Sequence, residues 1–117
     1  MIFQIILYWI LIEFKHVIAD YVLQNSWIYT GKRRRFGYLA PLASHAAINA
    51  AGTLLVVLIF TGNMHSAMTA FAFDFVMHAL IDRLKLVFER FMSAEAATVI
   101  DQMLHQATFV IIFIFWM

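Results

Sequence analysis

Apolar residues run along this chain in four long segments, and within each of them the polar side chains fall at every third or fourth position. The segments are 2–24, 41–61, 66–90 and 94–117. Each has roughly the 20 residues that an α-helix needs to cross a bilayer. Turn signals part them: Thr30-Gly31 and Gly37 in the first break, Gly62-Asn63 in the second, and Ser93 with Glu95 behind it, an N-cap followed by an acidic first turn, in the third. Pro41 suits the first turn of a helix, where its missing N–H is no loss. The pattern predicts an all-α fold: a polytopic, four-helix, up-down transmembrane bundle in one domain over residues 1–117.

Composition agrees with a lipid-facing chain. Of 117 residues, 64% are hydrophobic and 13% charged, with a mean hydropathy of +0.84, too apolar for a soluble domain of this size. The N-terminus lacks a basic n-region and a small-residue cleavage site, and its helix continues through Glu13 and Lys15, so we read it as a mature span rather than a signal peptide. Without cysteine there are no disulfides and no thiolate metal ligands.

The net charge of +1 says little, but its distribution orients the bundle. Lys32, Arg33, Arg34 and Arg35 lie between the first and second segments, and Arg83, Lys85 and Arg90 at the end of the third, while the loop at Gly62 has no Lys or Arg. The positive-inside rule then expects a multi-pass protein of the bacterial inner membrane with both termini extracytoplasmic. Lys32–Arg35 reads as this topology signal in preference to a phosphate or headgroup clamp.

With the direction set, the polar residues can be placed by depth. Glu13, His16, Asp20 and Gln24 share one face of the first helix, at about 100° per residue. His45 and Asn49 are four apart on the second, Asp74, His78, Asp82 and Lys85 form a stripe on the third, and Asp101 and His105, with Gln102 beside them, are four apart on the fourth. All four helices bring these groups toward the basic end. Every aspartate belongs to a stripe, and so do four of the five histidines; only His65 stands apart.

Side chains at i and i+4 point the same way from adjacent turns, the spacing by which a helix offers two ligands to one ion. The predicted metal ligands are His16, Asp20, His45, His78, Asp82, Asp101 and His105, around a divalent transition metal, since Asp with His suits zinc, manganese or iron. Polar glue between helices is the alternative, but such bonds average well under ~2 kcal/mol, against roughly 2.5–3.5 kcal/mol to insert an Asp near a helix centre. The small residues Ala46, Ala47, Ala50, Ala51 and Gly52 are expected to let the second helix approach a neighbour closely.

The stretches H-V-I-A-D-Y-V-L-Q (His16–Gln24), H-A-L-I-D-R-L-K (His78–Lys85) and D-Q-M-L-H (Asp101–His105), with His45 between them, resemble a family of small bacterial and phage membrane proteins known only as a domain of unknown function, number 3307. The resemblance spans nearly the whole chain and covers His16, Asp20, Gln24, His45, His78, Asp82, Lys85, Asp101, Gln102 and His105; Asp74 lies outside it. It implies no established activity. In helix count and His/Asp usage the chain is also similar to small membrane proteins predicted to be metal-dependent hydrolases.

The expected function is therefore metal-assisted hydrolysis of a phosphate-containing or lipid substrate, with Asp20 and Asp82 as the catalytic carboxylates and Lys85 holding the anionic group. Gln24 and Gln102 are expected to orient carboxylates. Expected partners are membrane lipids, an anionic substrate, and a second copy of the chain or a host membrane protein; no motif points to nucleic acid. Two rival readings are a non-enzymatic binding or regulatory protein, for instance a phage product acting on a host membrane protein, and, ranked lower, a small ion transporter. The outer halves of the helices hold almost nothing polar except Gln4, which counts against a transmembrane path.

Overall fold

Local chemistry accounts for where the helices begin and end. In the computed structural model, which describes residues 1–117, α1 runs Ile2–Val17, α2 Ser26–Gly31, α3 Leu39–Thr61, α4 Met64–Phe88 and α5 Ala94–Trp116. Asn25, Asn63 and Ser93 cap α2, α4 and α5, their side chains accepting from the backbone N–H of Ile28, Ser66 and Ala96 at 2.9, 3.1 and 3.1 Å. α3 ends at Gly62, which takes the left-handed conformation (φ 62°) and returns its N–H to the Leu58 carbonyl at 2.8 Å. Gly62 and Asn63 alone link α3 to α4.

Two features depart from the four uninterrupted helices expected. The first span does not continue as α-helix to Gln24: Ile18–Val22 is a π-helical turn, with the Leu23 N–H bonded to the Ile18 carbonyl at 2.9 Å. Such a turn fits one extra residue into the helix and re-aims the side chains within and beyond it, here Asp20 and Gln24. The second is α2, absent from the hydrophobic pattern. It folds back on α3, where Gly31 sits so close to Pro41 that a Cβ would overlap the proline ring. α3 also starts at Leu39, two residues before Pro41, which stands in its first turn.

α1 with its π-helical extension, α3, α4 and α5 are each long and apolar enough to cross a membrane. They form an antiparallel ring. α3 packs on α1 and α4, and α4 on α5. α5 closes on α1 where the Tyr8 hydroxyl donates to the Phe109 carbonyl at 2.7 Å and the Gln106 amide to Glu13 at 2.6 Å. The longest dimension, 42 Å, exceeds the ~30 Å hydrocarbon core of a bilayer.

Burial is the inverse of a soluble bundle. Phe3, Ile59 and Phe115 are 73%, 67% and 75% exposed, whereas His16, His45, His78, His105, Asp74 and Asp101 are buried. That arrangement is stable in a solvent of acyl chains, and it marks a membrane protein. The apolar core occupies one half of the bundle: Tyr8, Ile12, Val56, Val57, Ala67, Ala70, Phe109 and Ile112. The half nearer the arginines holds the polar groups. The small residues of α3 divide between two uses: Ala46 and Ala50 are fully buried, while Ala51 is exposed and Gly52 lies against Lys15, whose Cδ would be 2.9 Å from a Cβ at that position.

Candidate metal centre

Each long helix delivers one histidine to the same level. Ring centroids are 4.3 Å apart for His78–His105, 4.9 Å for His45–His78, 5.2 Å for His16–His105 and 6.1 Å for His16–His78. Three aspartates lie among them. The Nε2 atoms of His16 and His45 are 3.1 and 3.3 Å from the two oxygens of Asp20. Asp82 is met by His45 at 3.5 Å, His105 at 3.5 Å and His78 at 3.9 Å. His105 is also 3.5 Å from Asp101.

Most of these separations are long for hydrogen bonds. They are close to the distance between ligands that share an ion: with bonds of 2.0–2.1 Å, tetrahedral ligands stand about 3.3 Å apart. Two sets have ligand atoms all within 4.8 Å of one another and could hold a metal ion: Asp20, His45 and His78, and His78, Asp82 and His105. They meet at His78. Both ring nitrogens of that buried imidazole lack a hydrogen-bond partner. A neutral core histidine satisfied by its neighbours would not look like this.

Charge gives the same picture. Asp20, Asp82 and Asp101 contribute three negative charges, and the one cation bonded to them is Lys32, whose ammonium donates to Asp82 at 3.1 Å. These carboxylates outnumber the lysine and arginine groups bonded to them, which favours a bound cation. The Nδ1 atoms of His16, His45 and His78 find no acceptor, so the outer hydrogen bonds that commonly orient metal-bound histidines are missing on these three.

Of the predicted ligands, Asp20, His45, His78, Asp82 and His105 fall into the two sets. His16 and Asp101 stand beside them. His16 Nε2 lies 3.2 Å from the Gln102 oxygen, and the Gln102 amide donates to Asp101 at 3.0 Å, leaving the other Asp101 oxygen buried with no hydrogen bond. Gln102 thus orients a carboxylate as expected. Gln24 does not: its amide donates to the Asp20 backbone carbonyl at 3.1 Å and steadies the π-helical turn. Asn49 is fully buried, 3.5 Å from both Asp20 and the His45 ring. Lys85 lines the cavity above the cluster.

That cavity, of about 150 Å³, is bounded by Asp20, Asp82 and Asp101 below and by Lys32, Arg33 and Lys85 around it. Lys32 therefore does more than mark topology, and α2 is the reason: by folding onto α3 it returns the chain to the bundle at Gly31-Lys32. Arg33 pairs with Glu89 at 2.7 Å, and that hydrogen bond and charge raise its guanidinium above the ordinary arginine value. Arg83 bonds the carbonyls of Lys32 and Arg34 at 3.1 and 3.0 Å, which ties the loop to α4.

A second polar cluster lies between the centre and the apolar core, and only Asp74 of it belongs to the predicted stripes. Lys15 donates to Asp74 at 3.1 Å and to the Asn49 carbonyl at 3.3 Å, and the Thr53 hydroxyl donates to the same Asp74 oxygen at 2.5 Å. Asp74 is outside both ligand sets. Lys15 and Thr53 were not expected there. Lys15 is one residue, about 100°, away from His16, and only the length of its stem brings its ammonium inward.

The fold and this cluster define a class of protein: a polytopic α-helical membrane protein with a buried His/Asp constellation able to hold a metal ion. The chain belongs to the family described as Protein of unknown function (DUF3307), whose model matches residues 6–117. No curated protein and no solved structure matches it.

Proposed function

We propose that the protein is a divalent-metal-dependent membrane hydrolase acting on a phosphate-containing substrate, with its centre toward the cytoplasmic face. The observation that carries this reading is His78: a buried imidazole with both nitrogens unbonded, where two sets of possible ligands intersect. Asp20, His45, Asp82 and His105 would supply the other ligands of an ion held at His78. A divalent ion held there would supply positive charge for a phosphoryl oxygen and lower the pKa of a bound water.

The remaining groups divide the work. Lys32, Arg33 and Lys85 around the cavity bind an anionic group. Asp101, with one oxygen held by Gln102 and the other 3.5 Å from His105 Nε2, accepts the proton of the attacking water. Water oxygen bonds to phosphorus, the ester P–O bond breaks, and the proton held by Asp101 passes to the leaving alcohol.

Protein purified without chelator is expected to contain about one or two divalent transition ions per chain and to release phosphate from a phosphomonoester lipid once loaded with zinc or manganese. Lys85→Ala should keep the metal and weaken the substrate, raising KM more than it lowers kcat. Metal-free protein whose thermal stability ignores added zinc and manganese would sink the proposal. Orientation is a separate expectation from the arginines: a reporter enzyme fused after Met117 should be extracytoplasmic, and a cytoplasmic signal would place the centre at the opposite face.

A further inference from the structure

A groove about 480 Å³ in volume runs between α1 and α3 on the outside of the bundle. Phe14, Ile18 and Leu23 form one wall, Ala51 and Leu55 the other, and the Lys15 stem crosses its floor beside Gly52. Elsewhere the outward face of the helices carries large side chains such as Ile10, Met103 and Phe115. Here α3 presents an exposed alanine and a glycine, which packing does not require at Ala51, since only Ala46 and Ala50 face the bundle. From Leu11 to Leu23 the groove follows about 18 Å of helix, close to the ~15 Å thickness of one leaflet.

The π-helical turn borders both this groove and the polar cavity, on different sides of the helix. Asp20, Tyr21 and Gln24 line the cavity; Ile18, Ala19 and Leu23, interleaved with them, line the groove. An apolar chain lying in the groove therefore ends beside a cavity rimmed by Lys32, Arg33 and Lys85. We infer that the α1–α3 groove holds an acyl chain of an anionic phospholipid whose phosphate enters the cavity, so that the substrate of the proposed hydrolase is a membrane lipid phosphate reached sideways from the bilayer. This rests on the hydrolase reading for the substrate's fate, but not for its binding. Apolar walls select the chain, and Lys85, the rim cation with no carboxylate partner, selects the charge of the headgroup with Lys32 and Arg33 beside it.

The test uses the full chain in phosphatidylcholine nanodiscs containing a trace of phosphatidic acid with a diazirine in its acyl chain. Illumination should label the segments 11–23 and 48–59 in preference to the lipid-facing side of α5 around Met103. Unlabelled phosphatidic acid should compete and phosphatidylcholine should not. Ala51→Phe, a substitution at an exposed position that fills the groove, should lower the labelling roughly tenfold while metal content and thermal stability stay at wild-type values. Uniform labelling around the bundle, equal labelling by a phosphatidylcholine probe, or an unchanged yield in Ala51→Phe overturns the inference. Metal is measured in the same samples, so the two readings fail separately: selective labelling of metal-free protein upholds the groove and removes the hydrolase.

Discussion

His78→Leu is expected to lower the divalent metal in the purified protein at least about tenfold and to abolish the stabilisation that added zinc or manganese gives the wild type. The substitution separates two accounts of the same cluster. Leucine is close to histidine in volume, and His78 makes no hydrogen bond, so a cluster that served only packing would lose nothing and shed a buried polar ring. Stability would then be unchanged or higher. If His78 is where the two ligand sets meet, metal is lost, and Asp20 is left without its counter-charge while Asp82 keeps only Lys32. Asp82→Asn should act in the same direction, since that carboxylate lies within 4 Å of three histidines and Lys32. Metal content by mass spectrometry, read beside the unfolding temperature in detergent, decides between the accounts.

Asp74→Leu is expected to destabilise the bundle by about 3–5 kcal/mol without reducing its metal. Asp74 is the one carboxylate bonded to Lys15, and Thr53 donates to it as well, so the substitution strands a buried ammonium and a buried hydroxyl together. Restoring charge balance by adding Lys15→Met should recover most of the loss, because replacing both members of a buried pair by apolar groups is often close to neutral. Lys15→Met alone should cost a comparable amount. These are measured by reversible unfolding in mixed micelles, with metal analysed on the same preparations. Loss of metal from Asp74→Leu would move the centre toward the bilayer middle and favour ion transport over hydrolysis.

The helices and the shared level of the polar groups were legible because both are local. A helix repeats every 3.6 residues, so His16, His45, His78 and His105 announce their faces through neighbours three and four positions away. What depends on tertiary packing was not. Lys32 reads as one charge in a basic run, and nothing nearby says that Gly31 will sit on Pro41, ten residues on, and bring that charge to Asp82. The π-helical turn left no mark in the hydrophobic pattern. Asp74 is four residues from His78 on the same face, and only the position of the Lys15 ammonium assigns it to a different cluster.

The two-residue link between α3 and α4 bears on how the chain enters its membrane. These helices form a hairpin, and a hairpin can insert as one body before its neighbours dock. Both of its deep carboxylates find a partner within it: Thr53 of α3 donates to Asp74 of α4, and His45 of α3 faces Asp82 of α4 at 3.5 Å. The insertion cost of an isolated aspartate, roughly 2.5–3.5 kcal/mol near a helix centre, is thus partly offset before α1 brings Lys15 and α5 brings His105. Biogenesis can leave completion of the His/Asp cluster to the final lateral step, when the flanking helices close around a hairpin whose two aspartates already face a partner.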